Sequence, residues 1–512
     1  MILSAIVFLP FVFGIILWLW PSERALRPMA LGFSLVEFIL SLSLLGRFDK
    51  AAVGLQMVEK HPWIERIGVS YFLGIDGLSI WLVLLTTFLV PLMILGAWNS
   101  IEHRVKGFLV SIFLLQVAML GTFLAMDAIL FYLFWELSLV PMYFLIGIWG
   151  GARRIYATVK FFIFTMAGSV LMLLAIIYMM FLTEQAHGVM SASLLDFYRL
   201  DIPFVGGSMM SLQTLLFFAF ALAFAIKVPV FPFHTWLPDA HVEAPTSGSV
   251  ILAGVMLKMG TYGFLRWTLP LFPEAVEYWS WLFLLVGTIG IIYGAVIAMV
   301  QPDIKKLVAY SSVSHMGYVL IGLFAMNEAG LTGALYQMLN HGISTSALFF
   351  MVGMIYDRTH SREIAKYGGL AEVLPLFSIA FFIFTLSSIA VPMTNGFVGE
   401  FLILLGTFQA FPVFAYFALS GVVLGAVYML WMYKKVFFGE KGPLVADEHH
   451  PLTDLSYREM AVLAPLVILV FYMGLLPGHF FSYSKASLDH LVKNKDRYEL
   501  TYHDPDKTRS DR

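Results

Sequence analysis

Residues 211–238 read SLQTLLFFAFALAFAIKVPVFPFHTWLP, and two features of that stretch decide the fold. From Leu212 to Ile226 no residue is charged, and an apolar run on the order of 20 residues is what a helix needs to cross the hydrocarbon core of a bilayer. The run then meets Lys227, Pro229 and Pro232. Each proline removes a backbone donor and crowds the preceding turn, so the segment reads as a membrane helix broken in two.

The whole chain has the same character. Of its 512 residues 60% are hydrophobic, 16% aromatic and only 12% charged, and the mean hydropathy is +0.84. Soluble domains carry roughly 25% charged residues. The composition therefore excludes a water-soluble enzyme, a disordered scaffold and a nucleic-acid binder, and predicts an all-α polytopic protein embedded in a lipid bilayer. The net charge of -2 suggests no polyanionic partner. With no cysteine, the chain offers no disulfide, thiolate nucleophile or thiolate cluster ligand.

Apolar runs long enough to span fall at 2–20, 28–46, 77–97, 107–126, 128–149, 159–182, 211–238, 246–270, 279–300, 306–326, 331–356, 374–406, 413–438 and 457–478, which makes about fourteen helices. The first run lacks a basic start and a small-residue cleavage site, so it reads as a retained helix rather than a signal peptide. Odd-numbered connections hold Arg24 and Arg27, Arg104 and Lys106, Arg153 and Arg154, Lys305 and Lys306, Arg358, Arg362 and Lys366, then Lys434, Lys435, Lys441 and Arg458. Basic loops stay on the cytoplasmic side, which puts both termini outside. Arg47, Lys50, Lys60 and Arg66 in the connection 47–76 weaken that asymmetry.

A second break lies in the twelfth run, where Val391-Pro392-Met393-Thr394-Asn395-Gly396 gathers proline, asparagine and glycine. Breaks five helices apart are what an internal repeat produces, helices 4–8 against helices 9–13, and in transporters such paired breaks mark ion sites near the midplane. The chain then divides into residues 1–106 (helices 1–3), 107–270 and 279–438 (the two repeats), 457–478 (helix 14) and a polar tail, 479–512.

A charged side chain at a helix centre costs about 2.5 to 3.5 kcal/mol on insertion scales, so each one asks for a role. Glu136 lies in the fifth run, Lys227 ends the first half of the broken seventh, Lys258 is central in the eighth, and Glu400 follows the break in the twelfth. Both lysines are two to three turns or more from a span end, too deep for their stems to snorkel to the interface. Moving a carboxylate toward or away from a buried lysine switches that lysine between holding and releasing a proton. Each unit of such a swing is about 1.36 kcal/mol, against about 2.3 kcal/mol to move a charge across 100 mV. His315 and His341 sit within predicted helices and His234 and His241 flank the first break; they are candidate bridges between these stations. No histidine pair has zincin spacing with a glutamate, and there is no phosphate loop or dinucleotide fingerprint.

The run from Lys227 through Pro232, Phe233-His234-Thr235-Trp236-Leu237-Pro238-Asp239-Ala240-His241-Val242-Glu243-Ala244-Pro245-Thr246, followed by Gly254-Val255-Met256-Leu257-Lys258-Met259-Gly260, resembles the proton-translocating, antiporter-like subunits of respiratory complex I, the NADH:quinone oxidoreductase, and their Mrp antiporter relatives. The resemblance covers roughly helices 3–13. It implies a fourteen-helix subunit with two inverted five-helix repeats. It further implies that Glu136 pairs with Lys227, that Lys258 relays protons, that Glu400 connects to the exit side, and that His315 and His341 intervene. Glutamate rather than lysine at Glu400 points to the M branch. The family more often has Leu-Pro-Gly where this chain has Ala390-Val391-Pro392-Met393-Thr394-Asn395.

By that resemblance the partners are L-, N- and K-type membrane-arm subunits in a bacterial inner membrane, with the flavin (FMN), iron–sulfur clusters and quinone expected in those or other partner subunits and no cofactor or metal in this chain. The alternatives are a subunit of a cation/proton antiporter or of a hydrogenase- or ferredoxin-linked relative, and a passive membrane spacer.

Overall fold

The computed structural model describes residues 1–446, 452–495 and 497–502. Helices fall on each of the fourteen apolar runs. They are α1 (Ile2–Leu19), α2 (Glu23–Arg47), α3 (Ile80–Gly96), α4 (Val105–Leu124), α5 (Ala128–Trp149), α6 (Arg154–His187), α7a (Leu212–Lys227) with α7b (Trp236–Glu243), α8 (Thr246–Leu271), α9 (Pro273–Met299), α10 (Ile304–Phe324), α11 (Glu328–Thr359), α12a (Pro375–Ser388) with α12b (Asn395–Ala410), α13 (Pro412–Phe437) and α14 (Tyr457–Leu475). Eleven of them are long and apolar enough to cross a membrane, and α3, α7a and α12a are shorter apolar helices.

Both expected breaks exist. α7a stops at Lys227, whose chain turns through Val228–Thr235 before α7b begins, and α12a stops at Ser388, with six residues between it and Asn395, which opens α12b. A proline follows each stop closely and cannot supply the amide the next turn would need.

The helices sort by depth. Every residue of the apolar windows of α8 and α11 is buried within the protein, and 94% of that of α10, against 28% for α2 and α13. α8, α10 and α11 thus form the centre, with α4 close to it at 83%, while α2 and α13 turn apolar faces outward. Glycine allows the closest approach in the second half. A Cβ at Gly317 of α10 would stand 2.7 Å from the Gly287 carbonyl of α9, and one at Gly294 of α9 would stand 2.8 Å from the Ser314 amide of α10. Small residues at such contacts let backbones pack where lipid supplies no hydrophobic drive between helices.

Two features depart from the sequence reading. The connection 47–76 is not featureless: β1 (Gln56–Ile64) and β2 (Val69–Ile75) form an antiparallel hairpin turned at Gly68, whose φ of 65° is left-handed. Glu59 of β1 accepts hydrogen bonds from the Leu3 and Ser4 amides at 2.8 and 3.1 Å, placing a carboxylate on the amino end of α1. The stretch 479–512 is not all tail either. α15 (Pro477–Lys493) continues past α14, with the Phe480 carbonyl accepting from Trp81 Nε1 at 3.0 Å and Ser487 Oγ accepting from the Gly77 amide at 3.1 Å. Residues 503–512 lie outside the described residues.

Candidate functional site

The central helices carry a line of polar side chains through otherwise apolar packing. Lys258 sits on α8 just beyond Leu252–Met256, a π-helical stretch. Such stretches free a backbone carbonyl from its usual partner and recur at functional sites. Within this stretch the Ala253 carbonyl accepts from Lys258 Nζ. The same nitrogen is 2.6 Å from His341 Nδ1 on α11. Both residues are almost wholly buried.

His341 then faces His315 of α10, ring centroids 5.9 Å apart and edge-on. Beside them lies a cavity of about 10 Å³ lined by Asn340, Ser344, Ser387 and Ser388 as well as the two histidines. About 10 to 15 Å³ is the threshold for one water molecule with polar partners. His315 Nδ1 is 2.8 Å from Glu400 Oε1, which also accepts from Gln337 Nε2 at 3.0 Å, while His315 Nε2 is 3.3 Å from Ser388 Oγ. The break in the twelfth span therefore does what the sequence required of it: with α12b starting at Asn395, Glu400 is in its second turn and only 4% exposed. Lys258–His341 and His315–Glu400 are two hydrogen-bonded pairs that line up across three central helices and one broken one, with His341 Nε2 unpaired at the gap between the histidines.

The first half of the chain is connected differently. Lys227 donates to Ser138 Oγ at 2.9 Å and stands 5.0 Å from the Trp135 ring centroid. Glu136, next to Trp135 on α5, does not reach the lysine, and its Oε1 is buried without a hydrogen-bond partner. The expected Glu136–Lys227 ion pair is thus not closed in this structure; the two act on each other at longer range. Ser138, which a scan for charge passes over, is what holds the lysine.

His241 and His234 do not join the row. His241 stacks flat on Phe349 of α11, 4.6 Å between centroids, with neither nitrogen paired. His234 packs between Phe231 and Tyr293, on the side of the break where Lys160 of α6 pairs with Asp239 of α7b at 2.7 Å. At the end of the bundle where α5 and α7b finish, a cavity of about 420 Å³ opens, lined by Glu243, Lys305, Asp357 and Arg362. Lys305 crosses its floor to donate to the Ala244 carbonyl at 2.6 Å.

Several buried polar groups escaped the sequence reading. Arg266 of α8 and Asp76 ahead of α3 form a 2.5 Å pair with almost no exposure, and Glu37 of α2 is fully buried with both oxygens unpaired. Both lay in plain view as charges inside or beside apolar runs. Gln337, Asn340 and Asn395 carry no charge and gave no comparable signal. Among the described residues no three His, Asp or Glu side chains gather in a way that could hold a metal ion.

With this geometry in place, comparison with known proteins is consistent across the chain. Residues 125–425 match the family described as NADH:quinone oxidoreductase/Mrp antiporter, TM, and residues 2–126 match NADH-ubiquinone oxidoreductase chain 4, amino terminus. NADH-quinone oxidoreductase subunit M of Rhodobacter capsulatus is 48% identical over 96% of both chains, and that of Rickettsia prowazekii is 43% identical over 96% of this chain and 98% of its own. A chain of respiratory complex I from Thermus thermophilus superposes with a TM-score of 0.85 at 32% identity, covering 96% of this chain and 99% of that one. A chain of the Mrp complex from Dietzia shares the fold, with a TM-score of 0.82 at 19% identity over 96% and 97% of the two chains. A buried Lys–His–His–Glu row on a broken-helix scaffold, together with matches that run the length of the sequence, makes this chain a member of the NADH:quinone oxidoreductase/Mrp antiporter membrane family, in its subunit M branch.

Proposed function

We propose that the chain is a proton-translocating membrane-arm subunit of an NADH:quinone oxidoreductase, moving protons through its buried row while redox chemistry proceeds elsewhere. The observation that carries this reading is the row itself. Lys258 and His341 share one hydrogen bond and His315 and Glu400 another, with a small polar cavity beside the gap between them. A lysine ammonium that donates to His341 Nδ1 and then releases its proton passes it one station along. Glu400 is the acceptor at the far end, and the charge it holds draws the proton on. Glu136 and Lys227, coupled but not touching, supply the variable charge that resets Lys258.

On this reading the 420 Å³ cavity, rimmed by loops that the basic residues place in the cytoplasm, is the supply side. The orientation with both termini on the periplasmic face of a bacterial inner membrane follows from the same rule. L-, N- and K-type subunits are the expected neighbours, and FMN, iron–sulfur clusters and quinone belong to partner subunits. Exchange of a metal cation for a proton, as an antiporter would perform, is the second reading; a carboxylate at Glu400 in place of lysine favours the first.

The test is proton pumping against NADH oxidation in proteoliposomes holding the intact complex. Lys258→Ala and Glu400→Gln are each expected to lower coupled turnover by about a hundredfold, the low end of what a positioned proton-transfer group contributes, with assembly on native gels retained. Unchanged pumping in either variant refutes the relay.

A further inference from the structure

A second cavity, of about 380 Å³, lies between α2, α3, α11 and α14, away from the polar row. Its depth is made by Leu85 and Phe88 of α3, Ile343 of α11 and Leu469 of α14, and its rim by Leu42 of α2 and Ile468 of α14. Leu42 is 42% and Ile468 66% exposed. Both belong to membrane-spanning helices, so the groove opens sideways, into the acyl region of the bilayer rather than into water.

The groove has a charged end. Trp81 and His479 close it where α2 finishes and α3 begins. Tyr483 packs on both rings, at 5.2 and 5.7 Å, and Lys50 Nζ lies over Tyr483, 4.1 Å from its centroid. Arg47 is exposed one turn away, and neither cation has a carboxylate partner among the described residues. The intervening Asp49 is turned onto the Ala51 amide at 2.9 Å. An apolar slot leading from an aromatic belt with unpaired cations to the bilayer interior has the polarity profile of one lipid molecule.

We propose that this groove is a phospholipid site, with one acyl chain seated along Phe88 and Ile343 and the phosphate held by Lys50 and Arg47. The chain packs on Leu339 and Ile343, which stand two residues either side of His341. The bound lipid thus backs the helix that positions the middle of the polar row.

The test uses the protein in its native assembly, reconstituted in vesicles of phosphatidylglycerol and phosphatidylcholine in equal parts, with a diazirine on the phosphatidylglycerol acyl chain. After irradiation, peptides spanning 80–96 and 457–475 are read by mass spectrometry. Label is expected on Leu85, Phe88 or Leu469. It should fall by about tenfold in Leu42→Trp, the loss expected when the indole displaces about two buried methylenes, and fall less in Lys50→Gln. Ile468→Trp serves as a second filling variant should Leu42→Trp fail to assemble. Three results overturn the site: no label on Leu85, Phe88 or Leu469, label that persists in both tryptophan variants, or a partner-subunit peptide crosslinked there. Equal labelling by a phosphate-free photoreactive monoacylglycerol overturns the role of Lys50 and Arg47.

Discussion

A charge that cannot reach water has to be answered by another group, and Arg266 with Asp76 is the strictest case in this chain. The pair is held by Tyr262 Oη, which accepts from Arg266 Nε at 3.2 Å, while Tyr198 Oη donates to the Arg266 carbonyl at 2.6 Å. Removing one partner strands the other, which costs about 3 to 5 kcal/mol for buried pairs, whereas replacing both with apolar residues of similar size is often neutral. Arg266→Met is therefore expected to depress the thermal midpoint and the yield of assembled complex sharply. Arg266→Met combined with Asp76→Leu should recover most of both, as read by a thermal scan and a native gel. If the double variant is no better than the single one, the pair does more than balance charge. The same logic explains which residues the sequence made legible. Lys258, Lys227, Glu136 and Glu400 stand out because a charge inside an apolar run has few innocent explanations. Gln337, Asn340 and Ser388, which complete the row, are neutral residues that membrane helices tolerate at low cost, and only contacts reveal them.

At the scale of elements, helix packing rather than charge sets the spacing of that row. His315 is held on α10, and α10 is held against α9 by glycines. A Cβ at Gly317 would meet the Gly287 carbonyl at 2.7 Å and the Ile291 amide at 3.0 Å, both backbone atoms that cannot swing aside. Gly317→Ala is expected to cost about 1 to 3 kcal/mol, the usual range for overpacking, and to lower pumping by shifting His315 away from Glu400. Gly425→Ala on α13, where a Cβ would meet nothing within 4 Å, should leave the thermal midpoint unchanged or raise it, because alanine is the better helix former. Comparable losses in the two variants would remove the packing argument. The broken helices were readable because proline and glycine punctuate a chain in a way that apolar neighbours cannot mask. The hairpin Gln56–Ile64/Val69–Ile75 was not. Its first strand contains Pro62 and the charges of Glu59 and Lys60, so neither clean alternation nor a fully apolar run marked it as β structure.

At the scale of the whole molecule, the hairpin also bears on orientation. The basic residues of the connection 47–76 weigh against its lying outside. In the folded chain two of them are engaged at aromatic surfaces: Lys60 Nζ lies 4.8 Å from the Phe72 centroid and Lys50 Nζ 4.1 Å from that of Tyr483. The rule that keeps basic loops in the cytoplasm counts charges near span ends and is strongest for short loops, so this connection, the longest between the first three helices, is its weakest witness. The loops on the opposite side, with Arg153, Arg154, Lys305 and Arg362, are short and carry the decision. Because the chain has no cysteine, one introduced thiol reports one place. Ala51→Cys, exposed ahead of the hairpin, and Ser100→Cys, exposed in the connection after α3, lie at opposite ends of α3. In intact cells with an opened outer barrier, a membrane-impermeant maleimide should label Ala51→Cys at once and Ser100→Cys only after the inner membrane is permeabilised. The reverse order would invert the molecule. The 420 Å³ cavity rimmed by Ser100 and Lys305 would then face the side to which protons are delivered, and Lys258 would be loaded from the Glu400 end of the row.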